Sequence, residues 1–321
     1  MTFRVMVSAP YMLPFPEEFR LRLESEGIEL FEMIVSERLS EEFLLSVIET
    51  FDGVICGDDE FTGSVFKRAK RLKVVSKWGT GIDSIDVGAA AKLGVWVFNT
   101  PNAFTDAVAD TTLGYILNFA RRLYQMDKDI RHGLWVKPDA VSLRECTLGV
   151  VGVGNIGKAT ARRARAFGMN IVGNDLISTS DSFINETGMV MMSLPELLLK
   201  SDFVTLHCDL NPTSFHLIGQ AELKTMKSSA YLINTARGSV IDEPALVNAL
   251  QNGRIAGVAL DVYEVEPLPL ESPLRTMENC LLAPHNSNNS PAARRRVHES
   301  TVANLLRGLR EAELPRAEAK D

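Results

Sequence analysis

Short apolar runs alternate with longer amphipathic stretches along the chain. In the first third, the apolar runs predict strands at residues 3–8, 29–34, 53–56, 73–77 and 95–98. Amphipathic stretches such as residues 40–51 lie between them and predict helices. Strands that alternate with helices favour a parallel sheet with helices on both faces. We therefore expect a small doubly wound domain of the flavodoxin-like type.

A longer helical pattern starts at Thr105 and continues to Arg131. Apolar residues in this region recur at the spacing of a single helix face, namely Val108, Leu113, Ile116, Leu117, Ala120, Leu123 and Ile130. The pattern predicts a helical connector between two domains.

A second alternating series predicts another parallel sheet, with strands at residues 148–152, 170–174, 203–207, 231–234, 257–260 and 280–283. The stretch 292–310 has a helical pattern and could return to pack on the first domain. Residues 312–321 are expected to be frayed. The chain is thus predicted to be an α/β protein of two doubly wound parallel-sheet domains, formed by residues 1–104 with 291–321 and by residues 105–290.

Composition and charge narrow the class of protein. The 321 residues, 45% hydrophobic and 23% charged, are enough for two compact globular domains. The formal net charge of -7 argues against nucleic acid as a partner, since such proteins present a basic surface to phosphates. Neither a secretory leader nor a membrane-spanning run is recognisable, so the cytoplasm is the expected location and no membrane partner is expected. The four cysteines form no CxxC pair, which argues against a disulfide framework or a thiolate metal site.

A glycine-rich turn carries the clearest chemical signal. Gly152, Gly154 and Gly157 form a GxGxxG motif that follows the apolar run 148–151 and opens the helical stretch 158–167. Glycines in this setting permit a tight turn and a close approach of the backbone to a pyrophosphate, while the helix N-terminus favours the anion. The setting predicts a Rossmann domain that binds a dinucleotide; a glycine turn without a ligand is the alternative.

Asp175 follows the next predicted strand, near the offset of about 20 residues that is typical of an acid beside the adenosine ribose. A carboxylate there would accept hydrogen bonds from the ribose hydroxyls and repel a 2′-phosphate. No arginine occurs in residues 176–178, so NAD is favoured over NADP. A solvated loop acid is the alternative interpretation.

Further motifs resemble those of the D-isomer-specific 2-hydroxyacid dehydrogenase family. Besides the glycine turn, they are the segments 234–238 (NTARG), 261–267 (DVYEVEP), 283–285 (APH), 79–83 (GTGID) and 99–101 (NTP). The resemblance covers nearly the whole chain and extends to phosphoglycerate dehydrogenase-like members. It implies an NAD-dependent oxidoreductase that transfers a hydride between nicotinamide and C2 of a small D-2-hydroxy or 2-keto acid, with a substrate-binding first domain and an NAD-binding second domain.

Reduction of a 2-keto acid requires a fixed cation for the carboxylate and a proton donor for the developing alkoxide. Arg237 suits the first task, because a guanidinium binds a carboxylate through two parallel hydrogen bonds. His285, just past a predicted strand, is the proton-donor candidate among the five histidines. Glu266 precedes Pro267, as the corresponding acid does in the family, and would favour the charged imidazole. A surface ion pair, a packed histidine and a solvated acid are the respective alternatives.

The resemblance also implies which residues contact the ligands. Cofactor contacts are expected from Thr80, Gly152, Gly154, Asn155, Ile156, Gly157, Asp175, Cys208, Thr235, Ala236, Asp261 and His285. Substrate contacts are expected from Lys77, Trp78, Gly79, Thr80, Asn102 and Arg237. Lys77 fits a surface lysine equally well. No resident metal is expected.

The identity of the 2-hydroxy acid stays open between phosphoglycerate, hydroxypyruvate and glyoxylate chemistry. Phosphoglycerate enzymes of the family usually carry an arginine after the third strand, where this chain has Asp58, Asp59 and Glu60. Acids there should repel a phosphate, although Lys77 could restore part of a positive site.

Two other functional classes are compatible with the same fold. Some relatives bind NAD but serve as corepressors or scaffold-like proteins, and formate or phosphite dehydrogenases combine the cofactor domain with another substrate pocket. The joint presence of Arg237, Glu266 and His285 favours the hydroxyacid enzyme. The resemblance further implies a homodimer, to which the helical region 105–131 could contribute.

Overall fold

The computed structural model describes residues 2–312, which divide into two compact units. One unit comprises residues 2–103 and 290–312, and the other comprises residues 104–289. These borders lie one residue from the predicted domain borders. The expected frayed tail, beyond Ala312, falls outside the described residues. Among the helices described, none is both long and apolar enough to cross a lipid bilayer.

The first unit is built on a five-stranded parallel sheet. Its strands are β1 (Phe3–Val7), β2 (Ile28–Glu32), β3 (Gly53–Cys56), β4 (Val74–Lys77) and β5 (Trp96–Phe98), in the order β2-β1-β3-β4-β5. Its helices are α1 (Glu17–Ser25), α2 (Glu41–Val47), α3 (Gly63–Arg68), α4 (Val87–Lys92) and α12 (Pro291–Glu311), with short 3-10 turns at Pro10–Met12 and Ile48–Thr50. This strand order is that of flavodoxin-like folds, as predicted.

The C-terminal helix α12 packs directly on the first sheet. A Cβ at Gly308 would lie 2.4 Å from Cγ2 of Val74 in β4, so the helix backbone approaches the strand as closely as a glycine allows. The buried Ser76 hydroxyl donates to the carbonyl oxygen of Thr301 at 2.8 Å. The predicted return of the last helix to the first domain is therefore confirmed.

The second unit is built on a seven-stranded parallel sheet. Its strands are β6 (Thr147–Val151), β7 (Asn170–Asn174), β8 (Val190–Met191), β9 (Phe203–Leu206), β10 (Tyr231–Asn234), β11 (Gly257–Leu260) and β12 (Cys280–Leu282), in the order β12-β11-β10-β9-β6-β7-β8. Its helices are α5 (Thr105–Arg121), α6 (Leu123–Arg131), α7 (Asn155–Ala166), α8 (Asp181–Thr187), α9 (Leu194–Lys200), α10 (Gln220–Thr225) and α11 (Glu243–Gln251), with 3-10 turns at Leu143–Glu145, Gly238–Val240 and Pro273–Thr276. The strand order reverses between β6 and β9, which is where Rossmann folds bind dinucleotides.

The helical connector differs from its prediction in one respect. Arg122 adopts a left-handed backbone with φ of 55° and separates α5 from α6. Helix α5 buries its apolar face, but α6 buries no residue, and Leu123 and Ile130 are 50% and 53% exposed. The prediction of one continuous apolar face was wrong because the left-handed residue redirects the chain after α5.

Candidate active site

The glycine turn joins β6 to α7 where the strand order reverses. Gly152 has a φ of 89°, and a Cβ there would lie 2.6 Å from the backbone nitrogen of Cys208. A Cβ at Gly157 would lie 2.0 Å from the carbonyl oxygen of Gly152. Gly154 differs, because a Cβ at this position would have no atom within 4 Å. The protein's own packing thus requires two of the glycines, and the third borders open space.

The N-terminus of α7 is suited to an anion. Gly154 is its N-cap residue, no side chain caps the helix, and its first turn, which contains Asn155 and Ile156, has no acid. The first N–H groups of a helix have no partner within the helix, and together with the helix dipole they attract phosphate groups. The turn and the start of α7 therefore fit the pyrophosphate of a dinucleotide.

Asp175 lies after β7 and is bonded to the glycine turn. Its Oδ2 accepts a hydrogen bond from Val153 N at 2.6 Å, and its Oδ1 accepts one from Ile177 N at 2.8 Å. Each carboxylate oxygen can accept a second hydrogen bond, so the group can still bind ribose hydroxyls. On the other side of the turn, burial raises the pKa of the Cys208 thiol to about 11, which keeps this side chain neutral.

Arg237 follows β10 on a loop that Asn234 holds in place. The buried Asn234 accepts from Ala236 N at 3.0 Å through Oδ1 and donates to the Arg237 carbonyl oxygen at 2.8 Å through Nδ2. Thr235 is also buried, and its Oγ1 lies 3.3 Å from Thr112 Oγ1 in α5. Asn234 is not among the site residues that the sequence predicts. The available signal was an amide at the end of an otherwise apolar strand.

Glu266 and His285 are in direct contact. His285 Nδ1 lies 2.9 Å from Glu266 Oε2, and Glu266 Oε1 accepts a hydrogen bond from Tyr263 N at 2.9 Å. The two side chains are only 22% and 19% exposed. Glu264, the other acid of this segment, lies instead 2.8 Å from His216 Nε2. The carboxylate of Glu266 thus orients the imidazole of His285 through Nδ1.

Asp261 shapes the backbone around His285. His285 has a φ of 49°, in the left-handed region, and donates from its backbone N to the Asp261 carbonyl oxygen at 2.8 Å. The fully buried Asp261 carboxylate accepts from Asn286 N at 2.8 Å and Ser287 N at 2.9 Å. A left-handed conformation is unfavourable for a non-glycine residue and persists only where its surroundings enforce it. The structure shows that Asp261, for which a cofactor contact is a prediction, fixes the loop that carries the histidine.

The loops after β10 and β11 touch through their backbones. A Cβ at Gly238 would lie 1.9 Å from the carbonyl carbon of Tyr263, so the turn after Arg237 packs against the segment that leads to Glu266. Strands β10, β11 and β12 are neighbours and parallel, and their carboxyl ends share one edge of the sheet. Arg237, Glu266 and His285 thus all belong to segments that follow neighbouring strands at this edge. Burial lowers the pKa of His207, after β9, to about 3, so this histidine is no proton donor at neutral pH.

In the first unit, the predicted substrate residues lie at the end of β4 and directly after it, except for Asn102, which follows β5. Gly79 has a φ of 116°, and its carbonyl oxygen accepts a hydrogen bond from Thr100 N at 2.8 Å. Thr80 donates from Oγ1 to the Thr100 carbonyl oxygen at 2.9 Å. Asn102 is exposed and has a φ of 62°. The loop after β4 is thus held in place by residues that follow β5.

Trp78 is buried under an aromatic layer. Its ring stacks on Tyr11 with the centroids 4.6 Å apart, and its Nε1 donates to His298 Nδ1 at 2.8 Å. Burial lowers the pKa of His298, which favours the neutral ring that accepts this hydrogen bond. Lys77, the preceding residue, is also buried and forms an ion pair with Asp58.

A Rossmann sheet with an anion-binding turn, and a histidine supported by an acid at the carboxyl ends of its strands, define an NAD-dependent dehydrogenase. Residues 113–287 match the family model described as D-isomer specific 2-hydroxyacid dehydrogenase, NAD binding domain. The chain is 42% identical over 285 residues to a glyoxylate reductase of Thermofilum pendens, covering 87% of this chain and 84% of that relative. It is 36% identical over 301 residues to a D-3-phosphoglycerate dehydrogenase of Methanocaldococcus jannaschii, covering 92% of this chain and 56% of the other.

A solved structure agrees with these relatives. The D-lactate dehydrogenase from Aquifex aeolicus complexed with NAD and lactic acid is similar with a TM-score of 0.84 and 27% identity, covering 97% of both chains. The chain therefore belongs to the D-isomer-specific 2-hydroxyacid dehydrogenase family. It binds NAD and catalyses oxidoreduction between small 2-hydroxy acids and 2-keto acids.

Proposed function

We propose that the protein reduces glyoxylate to glycolate with NADH. The observation that carries the proposal is the contact between His285 and Glu266, 2.9 Å apart at the sheet edge that also holds the Arg237 loop. The 42% identity to a glyoxylate reductase over most of both chains supports this substrate.

In this proposal, three side chains divide the work. When bound, NADH supplies the hydride that adds to C2. Arg237 holds the substrate carboxylate through two parallel hydrogen bonds. As the C=O π bond breaks, the carbonyl oxygen becomes negative and takes the proton from His285 Nε2, and solvent later returns a proton to the ring. Glu266 favours the protonated imidazole before the transfer, because its carboxylate lies against Nδ1.

We further assign substrate binding to the unit of residues 2–103 and 290–312. Residues 78–80 and Asn102 would contact the substrate there, and Thr80 would also contact the cofactor. The support is the carboxyl-edge position of the loop after β4, where parallel sheets collect their ligands. Asp175 would set a preference for NAD over NADP, because its carboxylate, bonded to the glycine turn, repels a 2′-phosphate.

The test is NADH oxidation by the purified protein with glyoxylate, hydroxypyruvate and pyruvate, repeated with NADPH, together with NAD reduction in the presence of formate or phosphite. We expect glyoxylate reduction with a higher kcat/KM for NADH than for NADPH. NAD binding without turnover of any substrate would favour a corepressor or scaffold role, and NAD reduction by formate or phosphite would favour the other enzymatic alternative.

We also propose that the enzyme is a homodimer. Helix α6 buries no residue, and the segment after it exposes Leu134, Trp135 and Val136, with Trp135 83% exposed. Apolar surface of this kind is typical of an interface, and we propose a second copy of the chain as its partner. Sedimentation velocity is expected to show a dimer that Trp135→Glu weakens and that Lys137→Glu leaves intact. A monomeric wild type would contradict the assignment.

The cytoplasm is the proposed location. All four cysteines are free, as is usual for proteins in a reducing compartment. Cell fractionation with an antibody against the chain tests this, and recovery in a membrane or secreted fraction would contradict it.

A further inference from the structure

A buried ion pair lies at the carboxyl edge of the first sheet. Lys77 ends β4 in register with Cys56 at the end of β3, and Asp58 follows two residues later. Lys77 Nζ lies 3.1 Å from Asp58 Oδ1 and donates to the Trp78 carbonyl oxygen, also at 3.1 Å. The lysine side chain is 4% exposed, whereas that of Asp58 is 31% exposed. A charge buried this deeply requires a partner, so the two residues form a neutral unit.

The other two acids after β3 have structural partners. Asp59 is fully buried and accepts hydrogen bonds from the Ser8 hydroxyl and from Leu39 N, the latter at 2.7 Å. Glu60 lies 3.6 Å from the guanidinium of Arg38. Of the three acids in the segment, Asp58 is the one that contacts Lys77.

We propose that the Asp58–Lys77 pair selects 2-keto acids that carry no charge besides their carboxylate, and excludes phosphorylated and dicarboxylic ones. The inference rests on the proposed function, in which the loop after β4 binds the substrate. A second anionic group on a substrate needs a cation whose charge is not already cancelled. Asp58 cancels the charge of Lys77, and its partly exposed carboxylate repels a further anion.

The matched substrate pair for a test is hydroxypyruvate and 3-phosphohydroxypyruvate, which differ only by the phosphate. Oxaloacetate is the dicarboxylic probe. Asp58→Asn keeps an oxygen that accepts from Lys77 but removes the negative charge. This variant is expected to raise the kcat/KM for 3-phosphohydroxypyruvate relative to hydroxypyruvate by about 10- to 100-fold. The change should fall mainly on KM, because the charge of Lys77, which Asp58 no longer cancels, attracts the substrate and the transition state equally.

Glu60→Gln is the matched control. It removes one negative charge from the same segment, but the partners of Glu60 are the Arg38 guanidinium and the Glu41 backbone N–H, not Lys77. We expect this variant to keep the wild-type ratio between the two substrates. Thermal unfolding of both variants shows that each is folded.

The outcomes separate this inference from the proposed function. A wild type that reduces glyoxylate but uses 3-phosphohydroxypyruvate as well as hydroxypyruvate would overturn the inference alone. So would an unchanged ratio in folded Asp58→Asn, or an equal shift in Glu60→Gln. A wild type that reduces no 2-keto acid with NADH would overturn the proposed function, and the inference with it.

Discussion

One buried carboxylate determines the conformation of the proposed proton donor. Asp261 accepts the backbone N–H groups of Asn286 and Ser287, and its carbonyl oxygen accepts that of His285. Together these bonds hold His285 in a left-handed conformation that a loop without such anchors would avoid. Glu266 then sets the direction of the ring through Nδ1. The backbone and the side chain of the histidine are therefore fixed independently of each other.

Replacement of the proton donor should separate catalysis from binding. His285→Gln is expected to lower kcat for glyoxylate by about 10²- to 10⁴-fold, because glutamine cannot act as a general acid. The affinity for NADH, measured by fluorescence titration, should stay near the wild-type value. His132→Gln, at the exposed C-terminal end of α6, is the control and should keep wild-type kcat. Wild-type turnover by His285→Gln would show that the proton comes from another group.

Among the helices and strands, the carboxyl ends of the strands position the candidate site. Glycines determine how closely neighbouring helices, strands and loops approach each other. The turn between β6 and α7 shows both effects, because Gly157 faces the protein's own backbone and Gly154 faces open space. The two positions therefore allow a paired test, in which a substitution at Gly157 should affect stability and one at Gly154 should affect cofactor binding.

Gly157→Ala is expected to lower the free energy of unfolding by about 1 to 3 kcal/mol, since its Cβ would lie 2.0 Å from the Gly152 carbonyl oxygen and α7 must move. Gly154→Ala should cost less than about 1 kcal/mol, because its backbone is extended and the Cβ meets no atom. The methyl group would nevertheless occupy the space next to the turn and weaken NAD binding. Urea unfolding and NAD titration measure the two effects. Equal stability loss in both variants, or unchanged NAD affinity in Gly154→Ala, would contradict this account of the turn.

The stability of the whole molecule should depend on pH through Asp59. Burial raises the pKa of this carboxyl from 3.8 to about 6. Between these values the folded chain holds a proton that the unfolded chain has released, so the free energy of unfolding decreases as pH rises from about 4 to about 6. The full decrease amounts to about 3 kcal/mol.

Asp59→Asn should remove this decrease, because the amide does not titrate. The measurement is chemical unfolding of wild type and variant across the same pH range, with Glu60→Gln as the control that keeps the decrease. Parallel curves for wild type and Asp59→Asn would show that Asp59 is ionised in the folded chain at pH 4 to 6, contrary to its burial.

Much of the fold could be predicted from the sequence, because buried parallel strands appear as continuous apolar runs. Eleven strands coincide with predicted ones to within one or two residues, whereas β8 is only two residues long and leaves no periodic signal. The break at Arg122 was missed because a left-handed conformation at one residue leaves the apolar spacing unchanged.

The candidates Arg237, Glu266 and His285 were named from motifs that resemble the family, together with positions that follow predicted strands. The contacts that hold these residues join segments far apart in sequence, as when Asp261 binds Ser287. The pairing of Lys77 with Asp58 likewise depends on the register of β3 against β4. Apolar periodicity carries no information about such contacts, and the structure is needed to see them.

Hydride transfer from NADH to C2 of glyoxylate can be followed by isotope labelling. NADH that carries deuterium at both C4 positions is incubated with the protein and glyoxylate, and the glycolate formed is analysed by mass spectrometry. We expect one deuterium at C2 of glycolate for each NADH oxidised, and a strongly reduced rate in His285→Gln. NADH oxidation without deuterium in glycolate, or no oxidation at all, would contradict this expectation.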